Sequence, residues 1–290
     1  MTQRAWFVAF LLVAGACTHG TSGWVLSQDA PSSGGASGGP DAGLLADASD
    51  AAPDVHEAGA AGAAGASDAP APRCPTRFES LCSPAIVLDN RDMTASGALF
   101  AQAIPDLATT LPCITRDVCD TLYRKVSEIR TLTKITVIIE DYAGISETWS
   151  TGTEATIHMS SRHMQQVTDA NGNLSDELLG IFYYHGANIY QLDGGNGTTN
   201  AWLVEGVADF VRHAGGYLPD DQRKAGGKYN DGYATTAFFF VWLDSQYPDF
   251  VYELNLSLTP NAAVPWTTQA FADITGKSVD ALWTSYQASF

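Results

Sequence analysis

A long stretch of small and acidic residues, from Thr18 to Pro72, limits which part of this chain can fold. The stretch consists mainly of Ala, Gly, Ser, Pro and Asp, with almost no aromatic residues. Such a composition cannot bury enough apolar surface to offset the conformational entropy lost on folding. The sequence therefore predicts a disordered tether over residues 18–72 and one folded domain over residues 73–290, which is long enough for a well-buried core.

Residues 1–17 have the layout of an export signal. An apolar run follows Arg4, and it is too short to span a membrane, which takes about 20 residues. The final segment, Ala14–Cys17, is similar to a bacterial lipobox, in which Cys17 is diacylated after cleavage. Thr18 follows, so the Asp that retains lipoproteins at the inner membrane is absent. We expect an exported, lipid-anchored protein at the outer membrane or cell surface, with cleavage without lipidation as the alternative.

The charge of the chain excludes one class of partner. Its formal net charge is −17. The tether carries seven of the acidic residues and no basic one, and the domain keeps a net charge of −11. Nucleic-acid binding depends largely on neutralising phosphates with Lys and Arg, and the domain has no basic stripe. We therefore expect no nucleic acid as a partner, and a membrane contact only through the lipid on Cys17.

Four further cysteines lie near the start of the domain: Cys74, Cys82, Cys113 and Cys119. An even number in an exported chain indicates two disulfides. Three pairings are possible, and proximity along the chain favours Cys74–Cys82 with Cys113–Cys119. A metal site is the alternative, although none of the spacings is C-x-x-C.

The pattern of apolar residues predicts strands first and helices afterwards. Two strands are expected at Ile135–Glu140 and Ala155–Met159, with a helix before them at Arg116–Ile129. Ser175 is the expected N-cap of the first later helix. Helical spacing continues in four segments: Asp176–Gln191, Ala201–Ala214, Asp231–Gln246 and Val279–Ala288. This order predicts an α+β domain, with a small N-terminal sheet followed by a helical half.

Two polar features within the apolar helices indicate a site. Glu205 and Asp209 are four residues apart, so their carboxylates lie on one face of a helix. A solvated stripe on an amphipathic helix is the alternative interpretation. The second feature is the segment Tyr183–Gln191, where polar groups, including His185, enter the end of an apolar helix. A hydrogen-bonded core histidine is the alternative there.

Six blocks of the domain form a pattern in a fixed order: Ile157–Arg162, Glu177–Gln191, Trp202–Arg212, Gly227–Tyr233 with Thr236–Phe238, Phe250–Asn255 and Gly276–Trp283. Together, over the stretch from about Val118 to Phe290, they resemble the basic secretory protein family, a peptidase family of plants and bacteria. The resemblance implies a zincin-like fold and a zinc peptidase of the thermolysin type, in which H-E-x-x-H supplies two zinc ligands and a general base.

The resemblance also implies roles for single residues. Glu205 matches the third zinc ligand, and Asp209 matches the residue that orients a ligand histidine. Alignment without a gap puts Tyr184 at the first His, His185 at the catalytic Glu and Asn188 at the second His. A one-residue deletion would instead make His185 the first ligand and leave Asn188 at the second position. Neither alignment supplies a glutamate base.

These replacements predict a pseudopeptidase that binds a peptide or another polymer without cutting it, and we expect no resident cofactor. One alternative is an active zinc peptidase with Tyr184 as a ligand and His185 as the base. A second alternative is a structural envelope lipoprotein. On the next helix, Tyr233 could offer its hydroxyl to a tetrahedral intermediate, or it could be a core aromatic residue.

Overall fold

The computed structural model describes residues 23–26, 69–193, 201–259 and 265–290. The predicted signal peptide, the lipidation of Cys17 and nearly all of the tether lie outside these ranges. Within them, no helix is both long and apolar enough to cross a membrane.

The sheet has five strands in the described part of the chain, in the spatial order β1-β4-β5-β3-β2. Strands β2, β3 and β5 are parallel, while β4 runs antiparallel to both β5 and β1. Strands β3 and β5 confirm the two predicted strands, and β1 lies within the predicted tether. The bounds are β1 (Gly23–Leu26), β2 (Ala85–Asn90), β3 (Lys134–Glu140), β4 (Ser146–Thr151) and β5 (Glu154–Ser160).

Helices flank the sheet and form the C-terminal half, which confirms the predicted α+β class. Helices α4, α5, α6 and α9 match the four predicted segments to within a few residues at each end. The bounds are α1 (Ala95–Ala103), α2 (Leu107–Leu122), α3 (Ser161–Asp169), α4 (Leu174–Tyr190), α5 (Ala201–Ala214), α6 (Tyr233–Gln246), α7 (Phe250–Ser257), α8 (Gln269–Thr275) and α9 (Val279–Gln287).

Two local predictions were wrong. The helix expected at Arg116–Ile129 is α2, which begins nine residues earlier, at Leu107, where the Asp106 side chain accepts from the Thr109 amide. After Leu122 the chain becomes extended. The N-cap of α4 is Asn173 rather than Ser175, because the Asn173 side chain accepts from the Asp176 amide and α4 begins one residue before Ser175.

Helix α4 is the central element of the core. It contacts α2, α5 and β4, and every residue from Leu178 to Ala187 is buried. A helix that is buried on all sides must satisfy its polar side chains internally. Tyr183 does so by donating to the Asp117 carboxylate, with 2.8 Å between the two oxygens.

The disulfides join Cys74 to Cys113 and Cys82 to Cys119, so the predicted pairing was wrong. Cys113 and Cys119 are six residues apart in α2, which separates their Cα atoms by about 9 Å along the helix axis. A disulfide cannot bridge Cα atoms more than about 7 Å apart. Each cysteine of α2 therefore bonds to the segment that precedes β2, and the two bonds indicate an oxidising compartment.

The pairing predicts a specific non-reducing tryptic map, because Arg77, Arg91 and Arg116 separate the four cysteines. Residues 74–77 should be linked to residues 92–116, and residues 78–91 to residues 117–124. Mass spectrometry before and after reduction reads this directly. A species joining 74–77 to 78–91 would contradict the fold of this region.

Candidate functional site

The face of α4 that lies towards α5 carries two of the predicted site residues. Tyr184 and Asn188 are one turn apart, so they lie on the same side of the helix. The side-chain amide of Gln191 donates to Asn188 Oδ1 at 2.7 Å and to the Val204 carbonyl of α5 at 3.1 Å. Tyr184 is only 2% exposed. The structure therefore places a phenol and an amide where the resemblance implies two imidazoles.

Helix α5 supplies the two carboxyl groups of the site, Glu205 and Asp209, and both are buried. The solvated-stripe interpretation is thus wrong. Glu205 Oε2 has no hydrogen-bond partner among the described residues. Burial, and then the charge of Asp209, raise the pKa of Glu205 to about 8. A large share of the Glu205 carboxyl is therefore protonated at neutral pH.

A glycine contact keeps α5 close to α6 beside these acids. A Cβ atom at Gly206 would lie 2.3 Å from Thr236 Cγ2, so only glycine permits this approach. Gly232 has a φ of 79°, which favours glycine, and a Cβ added there would lie 3.6 Å from Trp202 Cα and 3.7 Å from Glu205 Cβ. The start of α6 is thereby fixed directly against the Glu205 turn of α5.

His185 points away from α5 and towards the sheet. Its Nε2 atom lies 2.8 Å from Ser146 Oγ on β4, and its side chain is fully buried. Burial, followed by the charge of Arg212, lowers the pKa of His185 to about 3. The imidazole is therefore neutral at physiological pH and bonded into the core.

Tyr233 is the most exposed of the predicted site residues, at 36%. It is the first residue of α6 and has a φ of 45°, a strained value for a bulky side chain. The Thr236 hydroxyl holds this turn, because it accepts from the Gly232 amide and donates to the Tyr229 carbonyl. Burial, and then the charges of Glu205 and Asp209, raise the pKa of the Tyr233 phenol to about 12. The phenol thus keeps its proton beside the two acids.

A group of charged residues that was not predicted from the sequence lies at the other end of the α4–α5 contact. Arg212 lies 3.7 Å from Asp209 and 3.8 Å from Glu177, measured between charged atoms, and Glu177 lies 2.9 Å from His163 Nε2. A Cβ at Gly180 would lie 2.9 Å from Arg212 Nε, so this glycine makes room for the guanidinium. The spacing of Arg212, three residues after Asp209, was the available signal.

The donors at the three implied ligand positions are a phenol, an amide and a carboxyl, from Tyr184, Asn188 and Glu205. Protein zinc sites use mainly thiolate and imidazole ligands, with carboxylates as additional ligands. Among the described residues, no group of three or more His, Cys, Asp or Glu side chains is arranged to hold a metal ion. The chemistry of this donor set does not fit zinc.

Neutral His185 predicts a particular loss of stability in acid. An unfolded chain binds a proton on this histidine below pH 6.5, whereas the folded chain binds it only near pH 3. Stability therefore falls as the pH drops from 6.5 towards 3. Between pH 7 and pH 4.5 we expect the wild type to lose about 2 to 3 kcal/mol more than a His185→Gln variant, measured by urea unfolding. Equal losses would mean that His185 is protonated in the folded state.

One family model matches the part of the chain that contains this site. Searches of curated proteins and of solved structures gave no match. A family model described as a peptidase of plants and bacteria matches residues 83–286, a range that contains β3 to β5, the α4 and α5 residues described above, and Tyr233. The chain belongs to this peptidase family of plants and bacteria.

Proposed function

We propose that this chain is an exported lipoprotein whose peptidase-family domain binds an extended peptide or a similar polymer without cleaving it. One observation carries the proposal. His185, which the ungapped alignment assigns to the general-base position, is fully buried and bonded to Ser146, and the same alignment assigns Tyr184 and Asn188 to the positions of the metal-binding histidines.

Hydrolysis needs a base that can reach a water molecule and the substrate. The imidazole of His185 has no solvent-exposed surface, and its Nε2 atom is held by the Ser146 hydroxyl. Loss of a general base typically lowers the rate by about 10²- to 10⁴-fold. The segment Tyr184–Asn188 contains no carboxylate that could serve as the base instead. The site therefore supports binding better than cleavage.

Of the residues at the candidate site, Tyr233 is the one that a ligand can most readily reach from solvent. Tyr233 is partly exposed and keeps its phenol proton, so it can donate or accept a hydrogen bond. Tyr184 and Glu205 are almost completely enclosed. A ligand would thus contact the rim around Tyr233 rather than the positions of a former metal centre.

Three features support the proposed location of the protein at the outer membrane or cell surface. The signal of residues 1–17 ends at Cys17, the lipidation site that we propose. The two disulfides are consistent with an oxidising compartment outside the cytoplasm. An acidic tether of residues 18–72 would then present the domain at the outer membrane or cell surface.

Labelled, unfolded casein provides a test of binding without cleavage. The purified mature chain should raise the fluorescence anisotropy of casein, and casein should keep its full length on a denaturing gel. A Tyr233→Phe variant, which removes only the hydroxyl, should bind several-fold more weakly, with unchanged thermal stability. Cleavage that a chelator stops and that Glu205→Ala abolishes would overturn the proposal and establish an active metallopeptidase.

Restoring the family's residues tests whether the ungapped alignment assigns the two His positions and the Glu position correctly. The triple variant Tyr184→His, His185→Glu, Asn188→His should bind about one zinc ion per chain, because two imidazoles would then lie one turn apart beside Glu205. Adding Glu205→Gln should weaken this binding about tenfold or more, since it removes the third ligand. A folded triple variant that retains no zinc would contradict the ungapped alignment.

A further inference from the structure

The chain places part of its own N-terminal segment on the sheet. Strand β1, Gly23–Leu26, pairs antiparallel with β4, with Trp24 opposite Thr148 and Leu26 opposite Ser146. Strand β4 pairs with β5 on its other side. The outer edge of β4 would otherwise expose unpaired N–H and C=O groups, which readily bind an extended chain.

This edge belongs to the strand that contacts the candidate site. Strand β4 packs against α4, and its Ser146 hydroxyl bonds His185 of α4. Because Leu26 pairs with Ser146, β1 runs along the strand that anchors the general-base position. An extended ligand that adds to this edge of the sheet would need the same outward main-chain groups of β4 that β1 occupies.

The sequence of the segment agrees with its pairing. Trp24-Val25-Leu26 is the densest apolar run between Thr18 and Pro72, and Trp24 is the only aromatic residue there. Aromatic and β-branched residues favour strands, whereas the surrounding Gly, Ser and Asp residues do not. The tether thus contains one segment suited to join a sheet.

We propose that Gly23–Leu26 is a resident strand that occupies the edge of β4 in cis and competes there with an extended peptide ligand. The competition rests on the proposed peptide-binding function, whereas the docking itself does not. Main-chain hydrogen bonds would give the affinity in both cases, so the displacing ligand is an extended polypeptide with apolar or β-branched residues.

Docking also determines how far the domain stands from its anchor. At about 3.3 Å per residue, the chain from Cys17 to Gly23 spans at most about 20 Å. The chain from Cys17 to Arg73 spans at most on the order of 180 Å when extended. On the proposed lipidation of Cys17, ligand binding would release the domain from the membrane surface as it displaces β1.

Hydrogen exchange of the mature chain without any ligand tests the docking. Consecutive amides of a strand point in opposite directions, so the double variant Trp24→Pro/Val25→Pro removes at least one donor towards β4 and prevents pairing. Those amides of residues 146–149 that point towards β1, which are every second one along β4, should exchange about tenfold faster or more in this variant than in the wild type, whereas the amides that point towards β5 should stay protected. The control variant Ala36→Pro/Ser37→Pro, with the same change outside the strand, should match the wild type.

Equal exchange in the double variant and the wild type would overturn the docking. Protection that rises with protein concentration, together with a dimer in gel filtration, would overturn docking in cis and show exchange of β1 between two chains. The competition is tested separately, by the affinity for labelled casein. The double variant should bind casein at least about tenfold more tightly than the wild type. Equal casein affinity would overturn the competition, and absence of binding by both would overturn the proposed function while the exchange result stands.

Discussion

The close packing of α4 between the sheet and α5 is the constraint on which the rest of the structure depends. Residues Leu178 to Ala187 are buried without interruption, so each polar group that α4 carries inward needs a partner inside the protein. Tyr183 bonds Asp117, and His185 bonds Ser146. Small residues allow the neighbouring helices to approach, most clearly Gly180 beside Arg212 and Gly206 beside Thr236. The site is therefore part of the core, and its chemistry is limited by burial.

Burial explains which structural features could be predicted from the sequence. Strand β3 is strongly apolar and β-branched, β5 alternates polar residues with the buried Ala155, Ile157 and Met159, and helices α4 to α6 carry apolar residues at helical spacing over several turns, so all were predicted. Strand β4, with the sequence SETWST, is polar and follows a glycine-containing turn, so its pattern is that of a loop. The disulfide pairing failed for a related reason, since it depends on α2 beginning at Leu107, which the apolar pattern had not revealed.

In the candidate site, too, some features could be predicted from the sequence and others could not. The α5 acids were predicted because their spacing of four residues places Glu205 and Asp209 on one helical face. The sequence did not reveal that both are buried, or that His185 faces β4, because both facts depend on packing across three elements. Ser146 had no signal of its own, since its strand was not predicted. A family resemblance supplied the positions, and the tertiary contacts determined what the side chains there can do.

The side chains that the ungapped alignment puts at the metal-binding positions, and the occupation of the β4 edge by β1, support the same proposed account, in which a peptidase scaffold is used for binding. Zinc content of the purified mature chain is the most direct test of its central claim. After dialysis against zinc and then against metal-free buffer, mass spectrometry should find far less than one zinc per chain. One tightly held zinc ion per chain, lost in a Glu205→Gln variant, would contradict the account, because Tyr184, Asn188 and Glu205 would then form a working metal centre.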